Sequence, residues 1–90
     1  MAVVDDYLNY RMSESPTLME IVAFNVRSQM KIKEYNPEKL VELSGLGRAT
    51  IYRIIGAKPK PVRINNLERI AQTLGVQPYE LLKKPATANS

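Results

Sequence analysis

Proline and glycine set an upper limit on every regular element this chain can build. Six prolines and four glycines are spread from Pro16 to Pro85, and the longest interval between them free of both is residues 17–36. Proline disrupts helix interiors and sheet ladders alike, and glycine stops helices by taking up positive φ. The fold must therefore be assembled from short pieces. Within those pieces apolar residues recur at helical spacing, and no alternating run of useful length occurs. The pattern predicts an all-α fold, a compact bundle of five short helices.

Each piece carries its own start and stop signals. Ser15-Pro16 reads as an N-cap with proline at the first helical position, and Leu18, Val22, Val26 and Met30, with Ile21 alongside, form one stripe running to about Lys33. Asn36-Pro37 repeats the start signal; Leu40 and Leu43 face inward and Gly45 ends the helix. A third helix follows Gly47, uses the 47, 51, 54 and 55 side for packing and ends near Gly56. Residues 57–64, with Pro59 and Pro61, read as a loop. A fourth helix from Asn65 or Asn66 places Leu67, Ile70, Ala71 and Leu74 inward and stops at Gly75; Gln77-Pro78 opens a fifth of about two turns with Leu81 and Leu82 inward. The expected organisation is an arm or short helix over residues 1–15, one domain over 16–84 and a fraying tail over 85–90. Val4, Tyr7, Leu8 and Met12 share a helical face in the arm, which is suited to a docked helix or a protein partner; a loosely ordered acidic arm is the other reading.

Composition removes several classes of function. The chain contains neither His nor Cys, so disulfides, Ser-His and Cys-His nucleophile pairs and the usual zinc, copper and iron sites cannot be built from it alone. We expect no catalysis, no cofactor and no metal. The first residues lack the basic and apolar regions of a signal peptide, and the densest apolar stretch, residues 19–26, is far short of the ~20 residues needed to cross a bilayer. A cytoplasmic protein with no membrane partner is the expectation.

Charge points the other way, toward a partner. The net charge is +4, but residues 25–64 hold nine Lys and Arg against three Glu, while residues 1–24 are net acidic. A basic segment of this kind is the electrostatic footprint of a polyanion binder, although a solvated mixed-charge surface produces it equally well. Within it, PEKLVELSGLGRATIYRIIGA (residues 37–57) reads as two short helices joined by a tight turn at Gly45, with Leu46 tucked between them. Once Ile51, Ile54 and Ile55 are packed, the second helix is left presenting Arg48, Ala49, Tyr52, Arg53 and Gly56. Small residues permit close approach, arginine forks match guanine O6 and N7, and free N–H groups near Gly47 and Arg48 suit a phosphate. That face fits the DNA major groove.

The segments NVRSQMK (25–31), SGLGRATIYRI (44–54) and NLERIAQTLGV (66–76) resemble the Cro and phage-repressor type of helix-turn-helix regulator, also called the xenobiotic-response-element family, over about residues 17–84. The resemblance implies a five-helix domain that binds double-stranded operator DNA, usually as a homodimer, with the helix at residues 48–55 reading bases. It places Arg48, Ala49 and Arg53 on base-contacting positions. Tyr52 shares their face, for DNA contact or for partial packing on the loop. Thr50 sits at the edge, between phosphate and base, and is assigned to phosphate with Asn36, Gly47, Lys58, Lys60 and Arg63. Lys31, Lys33 and Lys39 read as solvated charges, and Tyr35 as a cap on the core.

Four departures from the family pattern stand out. Pro37 replaces the usual glutamine that touches the backbone and braces the recognition helix, Val41 replaces alanine, Gly47 replaces the common serine N-cap, and the loop after the recognition helix is one residue longer than is common. The expected function is a sequence-specific transcriptional regulator, a repressor of phage, prophage or mobile-element origin acting by occlusion. The alternative is an antitoxin or adaptor that mainly holds a protein partner. Scattered aromatics argue against an RNA or single-strand binder.

Overall fold

The structure, a computed structural model, describes residues 16–85, which form four α-helices and a closing 3-10 turn, with no strand among the described residues. Helix α1 spans Leu18–Lys33, α2 Pro37–Ser44, α3 Arg48–Ile55 and α4 Ile64–Leu74; the 3-10 turn is Pro78–Leu81. The N-terminal face formed by Val4, Tyr7, Leu8 and Met12 lies outside the described residues, as does the end of the tail.

Local chemistry fixes most boundaries. Thr17, not Ser15, caps helix α1. The Thr17 hydroxyl accepts from the Glu20 N–H at 3.2 Å, and the Glu20 carboxylate accepts from the Thr17 N–H at 2.9 Å. This reciprocal box requires an acidic side chain three residues after the cap, which Thr17 has and Ser15 lacks. Asn36 caps α2 by accepting from the Lys39 N–H at 2.7 Å, with Pro37 in the first turn. Gly45 and Gly75 close α2 and α4 at φ 75°. Helix α1 closes instead on a glutamate: Glu34 sits at φ 61°, where an L side chain is strained, and the Tyr35 N–H donates back to the Met30 carbonyl at 2.8 Å.

Two further boundaries depart from the sequence reading. Helix α4 begins at Ile64, with Arg63 as its flanking residue, so the loop is shorter by one residue and Asn65 and Asn66 lie inside the helix. The fifth element is one 3-10 turn rather than a two-turn α-helix. Its bonds run Gln77 O to Glu80 N and Tyr79 O to Leu82 N, and the Leu81 and Lys83 carbonyls are taken by the Asn25 amide at 2.9 and 2.7 Å. The residue four beyond Leu81 is Pro85, which has no N–H to continue an α-helical ladder, and the Asn25 amide of α1 satisfies the Leu81 carbonyl in its place.

The core joins Val22, Val26 and Met30 of α1 to Leu40 of α2, Ile51, Ile54 and Ile55 of α3, Leu67, Ile70, Ala71 and Leu74 of α4, and Leu81 of the closing turn. Tyr35, Val41, Leu46 and Val62 pack at its margin. Three leucines expected inside are not there: Leu18 is 55% exposed, Leu43 46% and Leu82 37%. For Leu43 the cause is clear. The inward partner of Leu40 one turn on is Ser44, which is buried and accepts the Leu46 N–H at 3.1 Å, so the turn claims the interior position. Leu18 is the first helical residue and Leu82 follows the last turn, so both stand at the ends of their elements. Nor does Gly47 pack; it is exposed, while Gly56 is half-buried.

Candidate nucleic-acid interface

Helix α3 is held by its buried face. Ile51, Ile54 and Ile55 enter the core, and Arg48, Ala49, Tyr52 and Arg53 are left exposed along the opposite side, with Thr50 half-buried at the edge. Its orientation is set from neighbouring elements at both ends. At its C-terminal end, Arg27 of α1 reaches across, itself only 4% exposed. Its Nε donates to the Ile55 carbonyl at 2.7 Å and its Nη2 to the Gly56 carbonyl. These are carbonyls that a helix terminus leaves without intrahelical donors, and the cation also suits the negative end of the dipole. Two residues before Ile55, the Arg53 carbonyl accepts the Lys60 N–H at 2.8 Å, which ties the following loop to the helix.

The turn before α3 is anchored likewise. Arg69 of α4 donates from Nη1 to the Ser44 carbonyl at 3.0 Å. At the N-terminal end of α3 the two helices of the motif are joined side chain to side chain. Arg48 Nε donates to both Glu38 oxygens at 3.1 and 3.2 Å, and Nη2 donates to Glu38 Oε1 at 2.5 Å. Hydrogen bonding from Arg48 holds the Glu38 carboxyl below its usual range, opposed by desolvation; the Arg48 charge and the Tyr52 hydroxyl add lesser lowering effects. Glu38 therefore stays ionised through the ordinary glutamate range, and only its protonation at lower pH removes the charge that Arg48 pairs with.

Some of the predicted residues share a recess and others lie apart from it. Arg53 and Thr50 meet Arg63 and Asn66 in a recess between α3 and the start of α4, closed by Pro61 and Val62 of the loop. Lys58 and Lys60 are exposed on that loop. Gly47 precedes α3 with no side-chain cap, and nothing lies within 4 Å of where a Cβ would stand, so the first N–H groups of α3 have no side-chain acceptor from their cap residue. Asn36 spends its side-chain oxygen on capping α2, which leaves the amide nitrogen as its donor. Arg48 differs most from expectation: it is not a free cation but half of an ion pair. The brace that Pro37 cannot supply is present in other chemistry, one residue later, as Glu38–Arg48.

Sequence reasoning missed three residues that shape this site: Glu38, Arg27 and Arg69. Glu38 and Arg48 are ten residues apart across a turn, a separation to which no local spacing rule applies. Arg27 left a trace, because it lies one residue from Val26 and three from Met30, and a charge beside that stripe asks what it is doing there.

The Cro/C1-type HTH DNA-binding domain family matches this chain over residues 25–86, and the chain belongs to that family. The fold is similar to the crystal structure of a hypothetical transcription factor, NHTF, from Neisseria, with a TM-score of 0.78 and 28% sequence identity over 89% of this chain and 91% of that one. A search among curated proteins found no match. No helix among the described residues is long and apolar enough to cross a membrane.

Proposed function

We propose that this protein is a sequence-specific transcriptional regulator, a repressor that binds operator DNA as a homodimer and occludes promoter sequence. The observation that carries the reading is the division of α3, with three isoleucines buried on one side and Arg48, Ala49, Tyr52 and Arg53 exposed on the other. In this reading Arg48 and Arg53 donate to base edges, Ala49 lets the helix approach and Tyr52 packs on a thymine methyl or a phosphate. Lys58, Lys60 and Arg63 hold the backbone on one flank, and Asn36, Gly47 and Thr50 hold phosphates around the helix start. The stiff loop, with Pro59 and Pro61 and tied to α3 through Lys60, supports the phosphate role because little ordering remains to be done on binding.

Selection of sites from a random duplex pool by the purified chain tests this directly. The proposal expects a two-fold symmetric motif with half-sites about one helical turn apart. Enrichment of a single half-site would contradict the dimer, and no enrichment would contradict sequence reading altogether, favouring the protein-partner alternative.

A further inference from the structure

The Glu38–Arg48 pair raises a question that the interface alone leaves open. A carboxylate on a surface that meets DNA repels phosphate, and this one lies beside the start of the helix proposed to read bases. Glu38 and Arg48 are both well exposed, at 54% and 64% of their side chains. A pair so open to solvent contributes little to stability. Its geometry is nevertheless closely defined. A guanidinium has five N–H donors in a planar fork: one on Nε and two on each Nη. Glu38 takes the Nε edge and one donor of Nη2. What remains is the far end of the fork, formed by Nη1 and the second Nη2 donor. Two parallel donors at that end have the spacing that guanine O6 and N7 accept. The Nε edge, the other face able to make such a paired contact, is closed.

We propose that Glu38 is a positioning residue for specificity: from α2 it fixes the rotamer of Arg48 and leaves only the end of its guanidinium free to engage a guanine. This inference rests on the proposed reading of α3. Three consequences follow. An arginine otherwise samples many rotamers and can drift to the nearest phosphate, a contact without sequence information; held by Glu38, it is kept for a base. The pair is electrically neutral, so Arg48 adds almost nothing to non-specific attraction. Discrimination at one base pair therefore depends on a residue that itself touches no DNA.

The test is a set of full-chain variants measured on the selected site, on duplexes changed at single positions and on unrelated duplex, over a range of salt. Glu38→Gln keeps the size of the side chain and the exposed setting. The proposal expects it to reduce discrimination at one base pair by up to about fivefold and to tighten binding to unrelated duplex. It also expects a steeper salt dependence, by about 0.9 in the log–log slope, as Arg48 turns to a phosphate. Arg48→Ala should lose discrimination at the same base pair, and adding Glu38→Gln to it should change that discrimination no further. A Glu38→Gln protein with unchanged discrimination would overturn the proposal, whether binding to all sequences tightened equally or stayed the same. If Arg48→Ala itself left base preference intact, the base-reading role of Arg48 would fail, and Glu38 with it; Arg53→Ala then shows whether α3 reads bases at all.

Discussion

Arginine does four different jobs in this small protein, and the surroundings of each decide which. Arg27 is buried and donates to two carbonyls at the end of α3, Arg69 is anchored on the turn, Arg48 is paired with a glutamate, and Arg53 is exposed beside a recess. Counting positive charge along the chain treats them alike. Only packing separates the cations that hold the motif from those left to meet a polyanion. Arg27→Met keeps an unbranched apolar stem but strips donors from the Ile55 and Gly56 carbonyls. Hydrogen bonds from a charged donor are worth about 1.5–3 kcal/mol. We therefore expect urea denaturation to show a loss of about 2–3 kcal/mol. A loss under about 0.5 kcal/mol would mean that those carbonyls are equally well served by water. Arg27→Lys should not fully rescue, because an ammonium cannot span two carbonyls as a fork does.

At the scale of elements, the sequence was most legible where a single residue dictates backbone geometry. Asn36-Pro37, Gly45 and Gly75 placed the ends of α2 and α4 because each performs its role alone. It was least legible where a distant residue decides. The closing turn is tied down by Asn25, distant along the chain, which donates to the Leu81 and Lys83 carbonyls. Leu43 is exposed because the Ser44 hydroxyl is needed within the turn. Apolar periodicity weighs neither contact: the Asn25 bonds join residues far apart in the chain, and the Ser44 bond, though local, is polar. The strained end of α1 offers a test of local geometry. Glu34 occupies a left-handed conformation that costs an L residue roughly 1–2 kcal/mol, while glycine pays extra entropy of roughly 0.5–1 kcal/mol. Glu34→Gly should therefore raise the unfolding free energy by up to about 1 kcal/mol, read as a higher denaturation midpoint at unchanged slope. A lower midpoint would show that the Glu34 side chain contributes contacts that outweigh the strain.

For the molecule as a whole, the helical architecture and the segment presenting α3 were readable from spacing and punctuation, because burying three isoleucines on an eight-residue helix leaves only one side to expose. The state of the side chains on that exposed side was not readable. Arg48 stood out as a free recognition residue in the sequence, yet in the fold it is engaged by Glu38, and the recess that gathers Thr50, Arg53, Arg63 and Asn66 exists only once α4 has packed beside α3. Electrostatics over the basic face should supply attraction to any duplex, with affinity falling by about 0.9 log units per neutralised phosphate for each tenfold rise in salt. Specificity has to come from the few exposed side chains of α3. Arg53 is the cleanest probe of that division, being exposed and free of any carboxylate partner among the described residues. The decisive measurement is the affinity of Arg53→Ala for the selected site and for unrelated duplex at one salt concentration. The account predicts a loss of roughly 1–3 kcal/mol on the selected site with relaxed preference at one base pair, and a much smaller loss on unrelated DNA. An equal loss on both would make Arg53 a phosphate contact and would contradict base reading by this helix.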